Sequence, residues 1–311
     1  MTQLSLLHIL TLFFLALAPD NSVKNSKVSV LVLGVAQDAG YPQIACQKEC
    51  CQKVYKGQAQ PEYVTSLAVI DEDSGEAYLF EASPNIPKQL KILQEARLGK
   101  PVLPNGIFIS HAHMGHYTGL MHLGREAMSA NAIPVYVMPR MKNYLENNGP
   151  WSQLVELKNI SLNAMQDNIW IAFENFSLRP FLVPHRDEYS ETVGFEIKGP
   201  NKKVIFIPDI DKWDNWETNI EDLVLDCDYA FIDATFYDGS ELPNRNIEEV
   251  PHPFVVETMN RFRGYSKEIK SRIKFIHLNH TNPLLDPGTQ ASQNVLIEGY
   301  KISFTGMRVQ I

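Results

Sequence analysis

Basic charge is in deficit: 28 lysines and arginines face 36 aspartates and glutamates, a formal net charge of −8. A chain that neutralises a nucleic-acid backbone carries the opposite balance, so no nucleic-acid partner is expected. Internal repeats, low-complexity tracts and coiled-coil heptads are missing, which leaves an ordinary globular chain. Long apolar runs are scarce too. The one candidate, residues 4–18, is broken by His8 and Thr11 and is too short to span a bilayer comfortably. It ends in Ala16-Leu17-Ala18, a small-x-small pattern, followed by polar Asp20-Asn21-Ser22. Residues 1–18 therefore read as a secretory signal peptide and 19–27 as a linker, with an uncleaved anchor or an apolar tail as the other readings. The expectation is export to a bacterial periplasm or beyond, with cytoplasmic retention as the alternative and no stable membrane span once the signal is cleaved.

With 311 residues, 44% hydrophobic and 21% charged, the chain is long enough to bury a large core. Residues 28–311 are expected to fold as a single domain beginning at the strand Val28-Ser29-Val30-Leu31-Val32-Leu33.

The densest chemistry lies at His111, His113 and His116, three of the nine histidines of the chain. They follow the apolar run Ile107-Phe108-Ile109, which reads as a short buried strand. A strand-to-turn corner can aim several imidazoles at one point, and neutral imidazole suits zinc, iron, copper or nickel. One such histidine alone reads as a packed or surface residue; three at this spacing read as metal ligands. The same placement recurs downstream. His185, Asp209 and Asp233 each stand where an apolar strand stops, and His277 and His280 follow Phe275-Ile276. Aspartates after strands also serve as turn residues, but so many ligand-type residues at strand ends point to one sheet edge carrying a site.

Three of the four cysteines, Cys46, Cys50 and Cys51, cluster in a Cys-x3-Cys-Cys pattern. They read as a structural metal site completed by one further ligand, or as a disulfide; free loop thiols are the plainer alternative. Cys227 reads as a buried packing residue.

Taken together, the order of ligands resembles the metallo-β-lactamase superfamily, whose signature is His-x-His-x-Asp-His after an apolar strand. The resemblance implies an α+β fold, a four-layered αββα sandwich. It implies that His111, His113 and His185 hold a first metal, that Asp209 bridges, and that His116 and His280 serve a second metal. Gly115 stands where the signature has aspartate. Within the superfamily, Gly34 to Pro42, the cysteine cluster, Glu81-Ala82-Ser83-Pro84-Asn85 and His277-Leu278-Asn279-His280-Thr281-Asn282-Pro283 resemble the coenzyme PQQ synthesis protein B branch. That branch carries an asparagine where His280 stands and a tighter cysteine spacing.

The resulting expectation is a metal-dependent hydrolase, with one or two zinc ions supplying an activated water to a small-molecule or peptide substrate. Asp209 would position that water and His252 would assist proton transfer, while Asp233 and His277 would orient the ligands from behind. The alternatives are an iron-dependent oxygenase resembling the narrower branch and a non-catalytic metal- or ligand-binding protein. An aspartate introduced at 115 is expected to strengthen the second position. Strands at residues 28–33, 66–70, 77–81, 106–110 and 135–137 should share one sheet, with those after 169 mainly in another and outer helices including 86–94 and 255–262.

Overall fold

Alternation along the strands creates the layers. In the computed structural model, which describes residues 27–97, 103–243 and 245–311, the first strand β1 (Val28–Gly34) sends Val28, Val30 and Val32 to one face. Leu31 and Leu33 go to the other. The expected signal peptide and all but the last residue of the expected linker lie outside the described residues. After β1 come β2 (Ser66–Asp71), β3 (Ala77–Phe80), β4 (Gly106–Phe108), β5 (Ile133–Val137) and β6 (Ile160–Ala164). A second series follows: β7 (Ile171–Ala172), β8 (Ser177–Leu182), β9 (Val193–Lys198), β10 (Lys203–Ile207), β11 (Tyr229–Asp233), β12 (Ile273–Ile276) and β13 (Lys301–Ile302). The last strand, β14 (Arg308–Gln310), returns to pair with β1. Among the described residues these form two seven-stranded sheets, β14-β1-β2-β3-β4-β5-β6 and β13-β12-β11-β10-β9-β8-β7.

Three hydrophobic clusters mark the three seams of a four-layered sandwich. Val30, Val69, Phe80 and Phe108 of the first sheet meet Phe195, Val204, Phe206 and Phe231 of the second in the central seam. Outside the first sheet, Leu79, Ile107 and Val135 pack with Ile86, Leu90 and Leu93 of the helix Ile86–Ala96. That spacing places one apolar stripe on the sheet, and Pro87 in the first turn suits a helix start. Outside the second sheet, Ile205, Ile232 and Phe275 receive Val255 of the helix Val255–Arg261 and Val295 of Gln290–Ile297. Strands buried on both faces read as continuous apolar runs, and β1 and β10 have that form.

Strand direction gathers the site. β1 and β3 are both antiparallel to β2, and β4 and β5 run parallel to β3. In the other sheet β8 and β10 are both antiparallel to β9, and β11 and β12 run parallel to β10. The C-terminal ends of β1, β3 and β4 thus share one edge, and those of β8, β10, β11 and β12 share another. The two edges are tied together by Val193 N–H donating to Ser110 O at 3.2 Å, and by Leu278 N–H to Val35 O at 2.7 Å with Gln37 N–H to Leu278 O at 2.8 Å.

Candidate metal centre

At these joined edges the backbone leaves the ladders abruptly. β3 stops at Phe80, one residue short of the expected end, because Glu81 takes a left-handed conformation with φ +71. β12 stops at Ile276 because His277 does the same with φ +64. A non-glycine residue held there costs about 1–3 kcal/mol, a strain that surrounding structure must over-determine and that concentrates at functional sites. β4 pairs only to Phe108, so Ile109 and Ser110 carry the chain out to His111.

His111, His113, His185 and Asp209 converge, each offering a donor atom within 4.8 Å of the others. Asp209 Oδ2 lies 3.1 Å from His185 Nε2, 3.4 Å from His111 Nε2 and 3.8 Å from His113 Nδ1, and His185 Nε2 lies 3.3 Å from His113 Nδ1. A tetrahedral ion with bonds of about 2.1 Å would space its ligands about 3.4 Å apart. The buried His111 Nε2 has no hydrogen-bond partner, while the far side of His111, Nδ1, is held by Ser110 Oγ at 2.8 Å. An outer partner on Nδ1 fixes the ring and leaves Nε2 free for a metal. Burial, then the neighbouring His116, holds His111 well below the usual imidazole value, which keeps it in the neutral form that ligates.

A second group adjoins the first. His116 and His277 meet Asp38, again with donor atoms within 4.8 Å of one another. His116 sits in the short helix Met114–Tyr117, with Nε2 3.1 Å from Asp38 Oδ1 and Nδ1 3.4 Å from the buried Glu81. His277 turns Nδ1 to Thr235 Oγ1 at 2.9 Å and its Nε2 toward Asp38 Oδ1 at 3.8 Å. Asp209 and His277 also share a buried cluster with Asp233 and His252. His252 Nδ1 lies 2.9 Å from Asp233 Oδ2 and 3.1 Å from Asp209 Oδ1. Asp233 is fixed by Thr235, whose N–H and hydroxyl donate to its Oδ1 at 2.8 and 2.7 Å. Burial opposes the charge on His252 and His277, but the carboxylates overcome it. Asp209, then Asp233, push His252 up to about 10, and Asp209, with Asp233 and Asp38, pushes His277 up to about 9.

Two expectations need correction. His280 is not beside His116. It lies with Cys46, Cys50 and Cys51, all four offering donor atoms within 4.8 Å. The left-handed turn at His277 points that ring into the centre and carries the following residues away from it, so His277 faces His116 and does more than brace a ligand. The second correction concerns Gly115. A β-carbon there would stand 2.2 Å from Asp38 Oδ1 and 2.6 Å from Asp38 Cα, so the position is filled and an added aspartate would clash. Two carboxylates escaped the sequence reading, Asp38 and Glu81. Glu81 carried the same signal as Asp209, an acidic residue just after a buried strand. Asp38 sits four residues past β1, where only tertiary structure shows its reach.

The cysteine cluster is built on the helix Glu49–Tyr55, which carries Cys50 and Cys51, and on the loop before it. The cysteines are free, with Cys51 buried and packed on Ala36 and Tyr41. The Tyr41 hydroxyl donates to Cys50 O at 2.9 Å and Gln43 N–H points at Cys51 Sγ. Cys227 is apart from them, buried against the second sheet. None of the described helices is long and apolar enough to cross a membrane.

Residues 77–303 match the sequence profile of the beta-lactamase superfamily domain. Coenzyme PQQ synthesis protein B of Acinetobacter baumannii (strain ACICU) is 24% identical over 309 residues, covering 91% of this chain and 99% of that protein. Among solved structures, Zn2+-bound PqqB from Methylobacterium extorquens superposes with a TM-score of 0.73 at 19% identity, over 91% of this chain and all of that one. A diphosphatase from the PhnP family superposes with a TM-score of 0.65 at 15% identity, over 92% of this chain and 97% of that one.

Proposed function

Because the chain belongs to the beta-lactamase superfamily, with the metallo-β-lactamase fold, we propose that it is a metal-dependent hydrolase acting on a small-molecule or peptide substrate. The observation that carries the reading is the pair of adjoining donor groups at one sheet edge, among whose inward-facing atoms His111 Nε2, His116 Nε2, His277 Nε2 and Asp38 Oδ1 are buried without hydrogen-bond partners. Buried polar atoms left so cost about 1–3 kcal/mol each, and divalent cations would satisfy them together. His111, His113, His185 and Asp209 would hold the first ion, and His116 and His277 would serve the second. Zinc bound here supplies a water ionised near neutral pH and a Lewis acid for the scissile carbonyl or phosphoryl oxygen.

The chain's own groups do the rest. Asp209 orients the attacking oxygen. Between Asp209 and Asp233, His252 stands where it would hold a proton for the departing oxygen. Ser110 and Thr235 hold the far nitrogens of His111 and His277, fixing the rings. Cys46, Cys50, Cys51 and His280 form a closed Cys3His set of the structural-zinc kind, outside the reaction.

A second reading is favoured by one observation, the likeness to coenzyme PQQ synthesis protein B along nine-tenths of the chain. Under it His111, His113, His185 and Asp209 would hold a single iron, which would supply oxygen chemistry. Elemental analysis of the purified chain, with a hydrolysis screen over esters, lactams, thioesters and phosphodiesters, separates the two. The hydrolase reading expects zinc at the centre and turnover that a chelator abolishes and zinc restores. One iron with oxygen consumption and no hydrolysis would transfer the assignment to the second reading, and no bound metal would remove both.

A further inference from the structure

We infer that Asp38 supplies the carboxylate of the second metal position, from the loop after β1 and in place of the side chain that Gly115 lacks. The inference rests on the metal-centre reading above and extends it to a residue outside the histidine motif.

The buried atoms of this corner without a hydrogen-bond partner include Asp38 Oδ1, His116 Nε2 and His277 Nε2. These three are also the atoms that face one another, 3.1 Å apart for Asp38 and His116 and 3.8 Å for Asp38 and His277. Behind the rings, the Glu81 carboxylate lies 3.4 Å from His116 Nδ1 and the Thr235 hydroxyl holds His277 Nδ1 at 2.9 Å, so both rings turn Nε2 toward Asp38. A plain ion pair between Asp38 and His116 would leave His277 Nε2 unsatisfied. One cation between the three satisfies all of them, and two imidazoles with a carboxylate are a donor set that zinc and iron accept.

The backbone shows that Asp38 has been brought here and held. Gln37 N–H donates to Leu278 O and Leu278 N–H to Val35 O, which bolts the Asp38 loop to the residue after His277. Gly40 closes the loop with φ +72 and donates to Gln37 O. Gly115 is not glycine for conformational reasons, since it lies within the helix Met114–Tyr117 and is not among the residues with positive φ. It is glycine because Asp38 approaches: a β-carbon at 115 would meet the Asp38 backbone at 2.6 Å as well as its carboxylate. A carboxylate can reach this corner from the helix or from the loop, and the space admits one of them.

The test is cobalt(II) titration of the full chain after chelator stripping. Thiolate charge-transfer absorption identifies ions in the cysteine cluster, leaving those at the histidine centre countable. Wild type is expected to take two ions at that centre. Asp38→Asn, near in shape and without charge, should keep the first and weaken the second by more than the roughly 10–100-fold typical of losing an outer partner. Asp38→Ala should do the same, and cooperative thermal unfolding of each variant establishes that it is folded. Two ions bound with unchanged affinity in both variants would overturn the inference. A wild-type centre that takes only one ion at saturation would overturn it too, while leaving the first position standing. No cobalt at the histidine centre would instead remove the metal-centre reading, and the assignment of Asp38 with it.

Discussion

The histidine–carboxylate centre and the cysteine cluster are two donor sets built in opposite ways. The centre draws its side chains from the ends of β1, β4, β8, β10 and β12, which lie far apart in the chain and meet because those strands share a direction within each sheet. The cluster takes three donors from one turn and its following helix, and a single distant one, His280. The first is therefore as good as the fold that frames it, and it keeps carboxylates and protonated histidine beside the donors. The second is local and sulfur-rich, the form of a staple. Ligand chemistry and chain connectivity travel together here: dispersed nitrogen and oxygen donors at the joined sheet edges, contiguous thiols on one loop and its helix.

The hardest blow to that comparison is His185→Ala. It removes a donor of the first position without touching the cluster, so the ion there and any turnover should be lost while cobalt still gives its thiolate absorption. Loss of both signals together would mean that the two regions are not separate. Next in size, Cys51→Ser should empty the cluster and destabilise the fold by on the order of 4 kcal/mol, the scale of a lost structural metal, read as a lower melting temperature. The histidine centre should still bind metal at temperatures where the variant is folded, and a centre that fails to do so would contradict its dependence on the sheets alone.

Ser110→Ala probes the centre more finely. It deletes only the group behind His111, and the first ion should bind about 10–100-fold more weakly. Unchanged affinity in a chelator competition would show that Ser110 does not set the ring.

The smallest effect is a pH profile of the chelator-stripped chain. His277 and His252 stand at about 9 and about 10, above the ordinary 6.5, so their contribution to stability is full below 6.5 and fades as pH climbs through those values. Asp38 and Asp209 are held well below 3.8 by their histidines against burial, so theirs is full above 3.8 and fades in acid. In the cluster, burial with Cys46 pushes the Cys51 thiol from 9.0 up to about 12, so its contribution begins to fade only above 9. Melting temperature should decline above pH 6.5, and less so in His277→Asn; a level profile from there to pH 10 would count against the charged cluster.

Much of this was legible in the chain. Apolar runs marked β1, β10 and β11, and the carboxylates Asp209 and Asp233 at the ends of the last two marked the edge. His111, His113, His185 and Asp209 emerge from that pattern because a strand end fixes where the next residue lies. Beyond the strands the pattern fails. His277 and His280 are both plausible from sequence, and the choice turns on a left-handed φ at His277 that no periodicity encodes. Asp38 was hidden for a related reason, since its reach depends on a loop bolted to Leu278 across the two sheets. The helices 86–94 and 255–262 were read within two residues of their observed ends, Ile86–Ala96 and Val255–Arg261, because one apolar stripe determines each.

The close approach of Asp38 to Gly115 has an evolutionary corollary. Two positions remote in the chain compete for one volume, so neither can drift alone: on this backbone a side chain at 115 demands that the loop withdraw, and a withdrawn loop invites a side chain at 115. Related sequences should accordingly sort into two kinds, those with a carboxylate on the loop and glycine on the helix, and those with the reverse. Chains acidic at both positions should be depleted, and the pair should covary as a unit even though the residues around each diverge freely.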